Sequence, residues 1–211
     1  MFIYKGTKYY ITTTRFNEST YKENQKYRSI SDLTGVVYGT PLLIANTVLH
    51  DSKCIVIEML NYDKKHPKYP GKIMGVSIIK NRVTDRRFKI YKDQNYNRYT
   101  YTGNKYVSRD ILERHYEDLL RSLENTVFRG KGHLKRAQGI TKVPMSFLQK
   151  HNNIGPMLMN ILETHFPLQL HIQMENKQKH IEKNNGNKMQ LDNEPKKNNT
   201  IKLIQIPDLK I

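Results

Sequence analysis

The sequence predicts an α+β fold, a small twisted antiparallel β-barrel-like sheet with packed helices. Three observations predict it: five strand-type runs crowd the first half at short spacing, one long helical period follows them, and apolar residues thin out after about residue 174. Short spacing leaves little chain for the crossovers that parallel strands need.

The strands come first. Tyr9 to Thr14 (YYITTT) and Cys54 to Leu60 (CIVIEML) are rich in β-branched and aromatic residues, and Lys72 to Lys80 (KIMGVSIIK) follows the turn-forming Tyr69-Pro70-Gly71. Arg87 to Tyr91 (RFKIY) alternates polar and apolar at period two, as does Asn97 to Thr102 (NRYTYT), which ends at Gly103-Asn104. A helix then starts at the capping residue Ser108. Asp110 lies in its first turn, and Ile111, Leu112, Tyr116, Leu119, Leu120 and Leu123 recur at helical spacing through Asn125. Pro144 opens a short helix over Met145 to Lys150, and Pro156 another over Met157 to Phe166. Residues 1–174 are therefore expected to form a single α+β domain. Residues 175–200, rich in Asn, Lys, Gln and Glu, read as a disordered polar linker, and 201–211 (IKLIQIPDLKI) as an edge strand or tail motif.

Composition narrows the partners. A formal net charge of +17 over 211 residues and a pI near 9.8 are the footprint of a nucleic-acid binder. Lysine abundance also follows from an A/T-rich genome, but Arg82, Arg86, Arg87, Arg98, Arg109, Arg129 and Arg136 are less readily explained that way, and a guanidinium fork suits phosphate. The single cysteine, Cys54, excludes an internal disulfide, and the N-terminus lacks a secretory pattern. No apolar run approaches the roughly 18 residues that span a bilayer. The expected setting is cytoplasmic, away from the membrane.

The most informative stretch is 128–150, FRGKGHLKRAQGITKVPMSFLQK, which holds six fixed positive charges and three glycines without one Asp or Glu. Such a segment calls for an external anion, and phosphate is the commonest. Arg129, Lys131, His133, Lys135 and Arg136 are the candidate contacts there. Further up the chain, Tyr91, Tyr96, Tyr99, Tyr101 and Tyr106 interleave with Lys89, Lys92, Arg98, Lys105 and Arg109, a pattern suited to bases stacking on rings while cations hold the backbone. Arg86, Arg87, Arg98 and Tyr99 complete the candidate nucleic-acid-binding set.

Catalytic signals are weak. The spacing G-x-x-x-x-G-K-[ST] of a triphosphate loop is absent, and the eight histidines show no H-x-x-x-H or Cys/His metal spacing. No metal and no cofactor is indicated. Asp51 and Glu58 flank a strand as nuclease carboxylates do, yet Leu60 stands where such a site carries lysine, and Glu58 reads equally well as a structural partner of a nearby cation.

The order of Arg15-Phe16-Asn17, Val36-Val37-Tyr38-Gly39-Thr40-Pro41, the strand CIVIEML and the segment PGKIMGVSIIKNRV resembles the PUA-like superfamily, in particular its EVE and YTH branches, over residues 9–110. The resemblance implies a β-barrel that recognises nucleic acid, in some members by flipping a modified base into a pocket. The tryptophan cage of the YTH branch is not implied, because the chain has no Trp. The composition also resembles uncharacterised proteins of large cytoplasmic DNA viruses. The expected function is non-enzymatic binding of RNA or DNA through a basic, tyrosine-lined surface. The alternatives are an enzyme acting on nucleic acid or nucleotides through His133 and Glu58, and a structural, genome-packaging component.

Overall fold

The computed structural model describes residues 1–31, 33, 35–61, 71–129, 134, 137–151, 153–166 and 174. All of them belong to one compact unit, Met1–Lys177. The expected linker over 175–200 and the expected edge strand over 201–211 lie outside the described residues.

The fold is α+β, built on a six-stranded mixed sheet. Strands β1 (Phe2–Tyr4) and β2 (Thr7–Phe16) form a hairpin through Lys5 and Gly6, both at positive φ. Helix α1 (Glu18–Ile30) and β3 (Val36–Thr40) follow, and the chain returns as β4 (Lys53–Asn61), which pairs in parallel with β2 from Tyr9↔Lys53 to Phe16↔Leu60. Next come β5 (Gly71–Lys80), β6 (Tyr99–Gly103), β7 (Lys105–Ser108) and α2 (Arg109–Phe128). The strand β8 (Ile140–Lys142), α3 (Met145–Lys150) and α4 (residues 154–166) complete the described chain. The large sheet runs β1-β2-β4-β5-β7, with β8 added to β2 beyond β1, while β3 and β6 form a separate two-stranded sheet.

Three expectations part from the structure here. The sheet is mixed rather than antiparallel, because α1 and β3 supply the crossover that a parallel β2–β4 pair needs. No closed barrel is found among the described residues. Arg87 to Tyr91, expected as a strand, has no ladder partner among the described residues: it is an irregular segment pinned by Asn97, whose Oδ1 accepts from the amides of Ile90 at 2.9 Å and Tyr91 at 3.0 Å and whose Nδ2 donates to the Tyr91 carbonyl at 2.7 Å. Its period-two pattern is nevertheless physical, since Phe88 and Ile90 are buried while Arg87 and Lys89 face water.

Both faces of the sheet are covered, which is why CIVIEML is an unbroken apolar run apart from one charge. Ile55, Ile57 and Met59 join a core with α2, α3 and α4, through Ile111, Leu112, Leu120, Phe147, Leu158 and Leu162. Cys54, Val56 and Leu60 point the other way, into a core with Val37 and Tyr38 of β3, Tyr101 of β6, and Phe88 and Ile90. Gly103 matters at the join: a Cβ there would collide with the Ile78 carbonyl, so glycine lets β6 run close against β5. No helix among the described residues is long and apolar enough to cross a membrane.

Candidate nucleic-acid interface

The segment after β5 carries three of the predicted cations and is fixed by backbone bonds at both ends. Asn81 exchanges backbone bonds with Asp51 and Ser52, and its Nδ2 donates to the Val48 carbonyl at 2.9 Å. Thr84 binds Thr100 of β6 through both backbone, at 2.9 Å, and hydroxyl, at 2.7 Å. The Thr84 hydroxyl also donates to the Arg86 carbonyl at 3.0 Å. Arg86, Arg87 and Arg98 are consequently exposed side chains on a tethered backbone. The Arg86 guanidinium lies over the Phe88 ring at 5.3 Å, and that of Arg98 over Tyr99 at 5.4 Å.

Arg86 opens onto a groove of about 1120 Å³, which Lys53, Lys80, Arg82 and Lys105 also line. Against these five cations, the described lining includes one carboxylate, Asp85. Lys53 and Lys80 stand directly opposite each other in the β4–β5 ladder, an arrangement of like charges that destabilises a sheet unless an anion or water screens it. Aromatic rings support the stems: Lys53 Nζ lies 5.6 Å from the centroid of Tyr9, and Lys105 Nζ 5.9 Å from that of Phe166. Arg82 reaches Asp51 only at 3.9 Å, with both side chains well exposed.

The other predicted residues divide. Arg129 is the C-cap of α2 and lines a different cleft, so the fold does not bring it to the groove of Arg86. Lys131, His133, Lys135 and Arg136 lie outside the described residues. The tyrosine pattern is corrected in part: Tyr91, Tyr101 and Tyr106 are buried in the core, which removes their faces from any strand, while Tyr96 and Tyr99 are half-buried. Arg109 is engaged by Glu113 at 2.7 Å and Glu124 at 2.5 Å. Lys53, Lys80 and the groove they share escaped sequence reading because their opposition exists only once β4 and β5 are in register.

Glu58 is a structural partner. It is fully buried and takes Arg28 of α1 at 2.7 Å, while the Tyr38 hydroxyl donates to the same Oε1 at 2.5 Å and lies 2.7 Å from Ser77 Oγ. Arg28 sits between the rings of Tyr38 and Tyr106, 5.2 Å from each centroid. Burial opposes the guanidinium's charge, yet Glu58 and the two phenols hold its pKa above the ordinary value. Tyr106 fits only because residue 75 is glycine, where a Cβ would lie 2.5 Å from its ring. Among the described residues no group of three or more His, Cys, Asp and Glu is placed to hold a metal ion. No family model matches the sequence, and neither a curated protein nor a solved structure does.

Proposed function

We propose that the chain binds RNA or DNA without catalysing a reaction, holding the phosphate backbone in the groove of Lys53, Lys80, Arg82, Arg86 and Lys105. The carrying observation is the cross-strand pair of exposed lysines, Lys53↔Lys80, within a groove whose described lining holds five cations and one carboxylate. A polyanion offsets that repulsion and releases its own counterions on docking. Arg98 over the half-buried Tyr99 is a further exposed cation outside the groove lining, and with the half-buried Tyr96 it is what the described residues leave of the tyrosine-lined surface. The reading is consistent with a reducing, cytoplasmic setting, in which Cys54 stays a buried thiol. It takes from the PUA-like resemblance nucleic-acid recognition alone.

The test is a salt titration. Replacing Lys53, Lys80, Arg86 and Lys105 together by Gln should weaken binding to a short oligonucleotide and flatten the slope of log affinity against log salt by about one for each phosphate contact removed. A control that neutralises Lys8, Lys22, Lys26 and Arg114, all exposed, removes the same charge elsewhere. Equal losses in the two variants would mean that net charge, not the groove, drives binding.

A further inference from the structure

The groove leaves a second cleft unexplained, and we propose that this cleft binds a phosphomonoester. It encloses about 520 Å³ between the β2–β8 edge and α3, and its polar lining includes Thr13, Thr141, Arg129, Ser146, Lys150 and His151. No Asp or Glu lines it among the described residues. That volume falls within the usual range for a site holding a small molecule.

The chemistry of the lining favours a terminal phosphate over a backbone diester. The hydroxyls of Thr13 and Thr141 are 3.2 Å apart, so one donates to the other and the acceptor keeps its own proton for a ligand oxygen. His151 packs against the buried Phe147 with ring centroids 4.9 Å apart, which restricts the imidazole. Lys150, the preceding residue, is exposed. Lys142 is committed elsewhere: its Nζ lies 3.4 Å from the Thr47 carbonyl and 5.3 Å from the centroid of Tyr10. The Lys150 ammonium, the His151 imidazole and the hydroxyls of Thr13, Thr141 and Ser146, all lining one cleft, suit a group that carries close to two negative charges and three acceptor oxygens. A diester has one charge and is better served by the larger groove. The cleft and the groove share no lining residue, so this site stands independently of the backbone-binding reading.

A phosphomonoester comes either from a free nucleotide or from the 5′ end of a strand, and one set of titrations separates them. The full chain is titrated calorimetrically with AMP, adenosine, and one short oligonucleotide in 5′-phosphorylated and 5′-hydroxyl forms. The phosphate should improve affinity about tenfold, the size expected when charge-assisted hydrogen bonds are gained. A gain for AMP over adenosine identifies a nucleotide site, and a gain confined to the oligonucleotide identifies a strand-end site. Either gain should vanish in Lys150→Gln/His151→Gln, with Lys150→Gln alone as the gentler variant, and should persist in the four-residue groove variant. If the groove reading fails, both oligonucleotides bind weakly while the gain from the phosphate remains on whichever ligand shows it. No gain from the phosphate on either ligand, or a gain that survives Lys150→Gln/His151→Gln, would overturn the proposal.

Discussion

Glu58 is the single charge inside CIVIEML, and the structure surrounds it with Arg28, Tyr38 and Ser77. A buried ion pair adds little net stability when its desolvation cost is counted, and here Glu58 Oε2 and Arg28 Nε and Nη1 have no protein partner among the described residues. The centre therefore contributes more to fixing where α1 sits than to the depth of the fold. The phenols around it make that centre sensitive to alkali. Burial first, and then Glu58, push Tyr38 and Tyr106 well above the ordinary tyrosine range, while burial lifts Tyr21 and Tyr91 to about 12. In the unfolded chain these groups lose their protons near pH 10. Between that value and the folded pKa values the unfolded state binds fewer protons, so stability is complete below about pH 10 and falls as pH rises. Spectrophotometric titration should show these tyrosines ionising only together with the loss of tertiary structure; smooth titration of every tyrosine in a still-folded chain would contradict their burial.

Among the elements, the legible ones were those whose buried face is apolar. The strands β2, β4 and β5 and the helix α2 carry Ile, Val, Leu and Tyr at the period their geometry requires, and sequence placed each within a few residues. Helix α1 was missed for the opposite reason: its buried residues are Asn24 and Arg28, so no apolar stripe repeats at 3.6. Its one local signal was the cap. Asn17 Oδ1 accepts from the Thr20 amide at 2.8 Å, and the Thr20 hydroxyl accepts from the Asn17 amide at 3.1 Å. Losing that helix also lost the parallel pair β2–β4, because without α1 no crossover was visible. The segment Arg87 to Tyr91 failed in the other direction, its alternation being real and its ladder absent. Because α1 has little apolar area to hold it, its cap should matter: Asn17→Ala should cost about 1 kcal/mol, read as a lower urea midpoint with an unchanged slope. A cost near zero would show that the buried contacts of Asn24 and Arg28 anchor the helix without its cap.

For the whole molecule, the question is whether charge or placement drives binding. Residues 178–211 contain seven Lys and four Asp or Glu, a net +3, so Met1–Lys177 retains +14 of the +17. The groove cations, the second cleft and both described cores lie within that unit. The sequence drew attention to the dense run 128–150, of which Lys131, His133, Lys135 and Arg136 lie outside the described residues; of the proposed groove it named Arg86 as a contact, whereas Lys53, Lys80 and Lys105 come together only through the pairing of separate strands. Deleting 178–211 should therefore leave cooperative thermal unfolding intact, since it removes no residue of either described core. It should also leave the salt slope of oligonucleotide binding nearly unchanged, because the slope counts phosphates held at the site rather than total charge. Both readouts are needed. A truncated chain that aggregates or unfolds without cooperativity would place part of the fold beyond Lys177, and one that folds normally but loses most of its salt slope would move the nucleic-acid contacts out of the groove.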